Sequence, residues 1–235
     1  MLISDDSPLR RLPSELNQKQ KFYLDGIRFS IEIIDLAYLR LKQTLYNLSK
    51  NIKSNSKVNH LIFVSAIHDA WSLIDSVYRL RGLIKLCPGI KQKAPGIILF
   101  DKNTRDTEPL RHSFQHLNTQ INELIKLNLP VWGVITWIAV LDPLINSAYS
   151  CAIIAGTIFN NQCSQIINPA GKSLGIPIDL ITLTAGGHSL CLSKIFDEVN
   201  KLTKNLENEL TKYFKDLPCA GADLLLFVEF SSESN

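Results

Sequence analysis

Up to Leu127, apolar residues recur three and four positions apart. At Pro130 that rhythm stops, and β-branched and aromatic residues take over. A period between three and four marks one face of a helix, whereas short β-branched runs bounded by turn residues mark strands. The chain is therefore expected to be of the α+β class. An antiparallel helical bundle over residues 14–128 should be followed by a smaller antiparallel-sheet-plus-helix part over 129–235 that contains one long helix.

Within the first part, residues 1–13 contain Pro8 and Pro13 and read as an arm. Ser14 is predicted to cap the first helix, with Glu15 in its first turn; Asn17 stands where a capping box would carry Glu or Gln. The apolar face Ile27, Ile31, Ile34, Tyr38, Leu41, Leu45 and Leu48 carries this helix to about Lys50. A second helix is predicted from about Val58 to Leu86. It is apolar on more than one face and so central, and Cys87-Pro88-Gly89 ends it. Residues 88–107 read as a loop with a short extended piece at Ile97–Phe100. A third helix then begins near Thr107, with Pro109 in its first turn, and runs to Pro130.

In the second part, Val131–Leu141 and Ala148–Phe159 are predicted to be antiparallel strands. Ile178–Thr184 and His188–Leu192 are predicted to form a hairpin about Gly186-Gly187. A helix follows over Ser193–Asp216, with its stripe at Ile195, Val199, Leu202 and Leu206, and Leu224–Phe230 reads as a last strand.

Lys and Arg number 25 against 22 acidic residues, a net charge of +3, which argues against a dedicated nucleic-acid-binding surface. The five cysteines form no CxxC pair and read as reduced thiols. The run Val131–Leu141 is short of the roughly 20 residues that a membrane-spanning helix requires. The first 15 residues lack the basic-then-apolar layout of a signal peptide. A cytoplasmic protein with no membrane partner is expected.

Several constellations bear on chemistry. Asn168–Gly175 contains Gly-Lys-Ser, but Ile166 stands where a P-loop needs its first glycine. His112 and His116 lie four apart, yet the segment lacks the glutamate of a zinc HExxH helix, and neither a metal nor a cofactor is expected. Asp75 and Arg79 have the spacing of a structural ion pair, and with Asp69 they lie in the apolar second helix. His188 reads as a solvated turn residue.

The remaining segment is Leu110-Arg111-His112-Ser113-Phe114-Gln115-His116-Leu117. Late in a helical domain, this pattern resembles the RxxxxH motif of the HEPN superfamily, over roughly residues 14–127. The stretches around Asp69–Ile84, Cys87–Gln92, Leu110–Leu117 and Pro130–Trp137 also resemble a group of bacterial proteins without an assigned activity. The HEPN resemblance implies a metal-independent endoribonuclease, often a toxin or defence effector with a cognate antitoxin. In some members it implies a domain that only binds. It places the motif's Arg on Arg111, its second polar position on His112 (where members often have Asn or Asp) and its His on His116.

The chemistry can be stated from the residues as well. Cleaving RNA with its own 2′-hydroxyl needs a base for that proton and an acid for the leaving 5′-oxygen, and imidazole serves either role near neutral pH. Guanidinium suits the charge that builds on the phosphate. A second His from a symmetry mate would complete the pair, so a homodimer is expected, with RNA as substrate. Five positions on a helix amount to about 140° of rotation, so His112 and His116 align better than Arg111 and His116. The alternative is a non-catalytic module that binds nucleotide, RNA or protein. A third reading is a structural protein that exposes the Val131–Phe159 hairpin.

Overall fold

The computed structural model describes residues 1–51, 59–142, 147–154, 156, 177–214, 217–221 and 223–228. Its elements run α1 (Gln18–Lys50), α2 (His60–Leu86), α3 (Pro95–Thr104), α4 (Thr107–Gln115), α5 (Leu117–Leu127), β1 (Val134–Asp142), β2 (Ser147–Ile154), β3 (Ile178–Ala185), β4 (His188–Cys191) and α6 (Leu192–Phe214). The expected class holds: helices first, then a four-stranded antiparallel sheet in the order β2-β1-β3-β4, then a closing helix.

α1 and α2 form the backbone of the helical part. Ile27, Ile31, Ile34, Leu41 and Leu45 are fully buried, as their spacing predicts. The cap of α1 is Asn17, not Ser14. The Asn17 side chain accepts from the Gln20 N–H, and the Gln20 side chain accepts from the Asn17 N–H, so a complete capping box begins one turn later than predicted. α2 is central only from Ala66 onward; Leu61, Phe63 and Val64 in its first turns are exposed. The predicted arm is packed down. Ile3, Leu9 and Leu12 are buried and belong to the same hydrophobic cluster as the inner faces of α1 and α2.

Three further expectations are corrected. Residues 88–107 contain α3, a helix opened by Pro95 at its first turn, where the missing N–H costs nothing. The predicted third helix is two helices, α4 and α5, broken at His116. Residues 224–228 join no strand among the described residues and stay 72–87% exposed.

One hydrophobic cluster runs through both parts. Leu41 and Leu45 of α1 belong to it together with Ile135, Ile181, Ile195 and Val199. Tyr38 of α1 stacks on Phe196 of α6 with ring centroids 4.0 Å apart. Its hydroxyl donates to Ser193 Oγ, which also accepts from the Ile181 N–H of β3. A bulge between β1 and β3 is absorbed at Leu180, whose φ of +52° is left-handed. The sheet is anchored to α1 by the Trp137 indole, which donates to Ser49 Oγ at 2.8 Å in a fully buried contact. Ser49→Ala leaves that indole N–H without its acceptor and should cost about 1–3 kcal/mol, read as a lower urea midpoint.

Candidate functional site

α4 presents two faces to two environments. Leu110 and Ser113 are buried, and Phe114 stacks on Trp71 of α2 at 4.4 Å and tilts against Trp132 at 5.3 Å. The Trp71 indole donates to the Trp132 carbonyl, which ties α2 to the entry of the sheet. With positions 110, 113 and 114 turned inward, positions 111, 112, 115 and 116 fall on the outer side, where the motif residues lie.

Arg111 is held in place. Its Nε donates to Asp75 Oδ1 at 2.8 Å, its Nη1 donates to Gln115 Oε1 at 2.9 Å, and the guanidinium lies 4.1 Å above the Tyr78 ring. The side chain is 18% exposed. Asp75 also accepts from Arg79 Nε at 2.6 Å, so the ion pair predicted from spacing is present, and a second arginine shares its carboxylate. Partial burial pushes the Asp75 carboxyl up, but hydrogen bonds from Arg111 and Arg79 outweigh it and hold the group below the usual carboxylate range.

This shift fixes the sign of a pH effect. The unfolded chain binds the proton at higher pH than the folded one does. The stabilisation is therefore complete above the ordinary aspartate value of about 3.9 and is lost as pH falls through the lower folded value. Asp75→Asn should flatten that acid limb in a plot of Tm against pH while leaving the alkaline side unchanged in shape.

His112 and His116 are both exposed, and their ring centroids stand 4.4 Å apart at a 54° tilt. Their alignment follows from the four-residue spacing, whereas Arg111 reaches back to α2. His116 is the hinge between α4 and α5, with φ −103° and ψ 22°, near the sparsely populated bridge region where many active-site residues sit. Its backbone is well supported: its N–H donates to the His112 carbonyl, and its own carbonyl accepts from the Thr119 and Gln120 N–H groups.

Nothing local in the chain signals that His188 lies near the motif. His188 is exposed at the start of β4, as predicted, but it lines a cavity of about 250 Å³ together with His112, Ser113, Gln120, Glu123 and Gly186. Gly186 explains the approach of the hairpin to α4. At φ +55°, a Cβ there would sit 2.6 Å from Ser113 Cβ, so only glycine lets the turn press so close.

Elsewhere, Asp69 is buried, with Oδ1 3.3 Å from Arg40 Nη2 and 3.4 Å from His68 Nδ1. Among the described residues, no group of three or more His, Cys, Asp or Glu is placed to hold a metal ion, and no helix is long and apolar enough to cross a membrane. Cys87, Cys151, Cys191 and Cys219 are free thiols. The Gly-Lys-Ser segment lies outside the described residues.

No protein-family model, curated protein or solved structure matches this chain. The likeness to HEPN domains rests on the motif residues and their helical setting alone.

Proposed function

We propose that the α4–α5 junction is a metal-independent RNA-cleaving site of the HEPN type, acting in toxin–antitoxin or defence physiology. The observation that supports it best is the pair of exposed imidazoles, His112 and His116, 4.4 Å apart beside a guanidinium fixed by Asp75. In this reading His116 takes or gives the proton, His112 assists, and Arg111 lends charge to the phosphate as it becomes more negative. Pinning by Asp75 and Tyr78 removes the entropy cost of ordering a long side chain.

The partner in assembly is a second copy of the chain. Phe22, Phe29, Ile33 and Leu36 lie along one side of α1 at helical spacing and are 43–67% exposed, a stripe of the kind that marks protein contacts. RNA would be cut in excess chelator to leave 2′,3′-cyclic phosphate ends, by a species whose light-scattering mass is that of two chains. Cleavage that needs added metal, or a protein that is monomeric and silent toward RNA, would sink this reading.

One observation favours a second reading. Asp75 already neutralises Arg111, which suits a module that binds without cutting. Retention of labelled RNA without any new ends would select it.

A further inference from the structure

We propose that His188 is a second acid–base residue of this site, supplied by the same chain, and that the cavity it shares with His112 receives the ribose and phosphate of the nucleotide being cut. This rests on the RNA-cleaving reading and extends it, because it removes the need for a histidine from a second copy.

The cavity lies where three elements meet. α4 contributes His112 and Ser113, α5 contributes Gln120 and Glu123, and the β3–β4 hairpin contributes Gly186 and His188. The hairpin is firmly placed. Ala185 pairs with His188 across the turn, Gly186 and Gly187 take φ +55° and +79°, and Thr184 Oγ1 donates to Ser189 Oγ at 2.9 Å. With Gly186 pressed against Ser113, the imidazole at 188 is carried on a rigid strand end facing the motif helix, not on a wandering loop.

At about 250 Å³ the cavity is small for a ligand pocket. That volume is on the scale of one sugar-phosphate unit. Its lining suits that group: His188 exchanges a proton with the ribose hydroxyl or the leaving oxygen, His116 beside His112 serves the other, and His112, Gln120 and Ser113 hydrogen-bond around them. Glu123 is the one carboxylate among the lining residues. His116 lies beside His112, with ring centroids 4.4 Å apart.

The reaction balances within this set. One imidazole takes the 2′-hydroxyl proton as the 2′-oxygen bonds to phosphorus. The bond from phosphorus to the 5′-oxygen breaks, and the other imidazole, protonated at the start, gives its proton to that oxygen. The products are a 2′,3′-cyclic phosphate and a 5′-hydroxyl, and water later restores the protonation states.

The test uses the full chain in chelator. His188→Gln should lower kcat at least 100-fold with little change in KM, remove one limb of the pH–rate profile, and leave Tm within a degree or two of wild type. If wild type cuts RNA and His188→Gln retains both its rate and both limbs, the inference is overturned and the RNA-cleaving reading stands. Titration of the wild type with uridine 3′-monophosphate, followed through the imidazole C–H proton resonances, gives a second readout. Resonances of both His112 and His188 should move. If the His188 resonances stay still, the cavity does not take the nucleotide against His188. If the wild type never cuts RNA, the acid–base role falls with the parent reading, whatever the titration shows.

Discussion

His116→Ala should lower RNA cleavage by about 10²–10⁴-fold, the usual contribution of a positioned acid or base, while barely moving the thermal midpoint. The side chain is exposed, and the backbone conformation at the α4–α5 junction is open to alanine, so a stability change beyond roughly 0.5 kcal/mol is not expected. That separation makes His116 a cleaner probe than Arg111. Arg111→Ala would also strip a hydrogen-bonded partner from Asp75 and uncover the Tyr78 ring, so a fall in activity would come mixed with a fall in stability. Equal residual cleavage by wild type and His116→Ala, at equal Tm, would identify a contaminating nuclease and remove the proposed activity.

Gly133→Ala should destabilise the fold by about 2–5 kcal/mol, combining a left-handed backbone imposed on alanine with an overpacked contact. Gly133 has φ +84°, and its N–H donates to the Pro130 carbonyl in the turn that leads into β1. A Cβ there would fall 2.5 Å from the Thr184 carbonyl oxygen and 2.8 Å from Ala185 Cβ. The first of these is backbone of the neighbouring strand and cannot rotate away. Urea unfolding should show a lower midpoint with an unchanged slope. Gly82, in the interior of α2 with open space around it, is the natural control. Alanine there should stabilise by about 0.5–1 kcal/mol, so a similar response at both sites would refute the account of the turn.

The sequence revealed most where a single period governs a long element. Ile27 through Leu45 in α1 and Ile195 through Leu206 in α6 are buried as their spacing predicts, because one face of a long helix has little choice of environment. The glycine pair at 186–187 likewise announced its hairpin, since few other residues accept positive φ twice in succession.

Short or competing signals misled. α3 is ten residues long and begins at a proline, a pattern that by itself reads as a loop. Ser14 drew attention from Asn17, which caps α1 jointly with Gln20. His112 and His116 were correctly paired because a helix fixes neighbours four apart. Asp75 beneath Arg111, and His188 across the cavity from His112, belong to other elements, and nothing local in the chain records that they meet.

The segment just after α6 turns back over the beginning of the chain. Pro218 accepts from the Ser14 N–H, the Ala220 N–H donates to Leu12, and Asp223 grips the Arg28 guanidinium with both carboxylate oxygens. During synthesis, Leu12, Ser14 and Arg28 are made before the sheet and α6, and must wait for both before this strap can close. Until then the Ser14 N–H, the Leu12 carbonyl and the Arg28 guanidinium lack these partners. An early-made segment is thus secured late, and a ribosome that stalled short of residue 217 would hold α1 and the sheet with this latch still open.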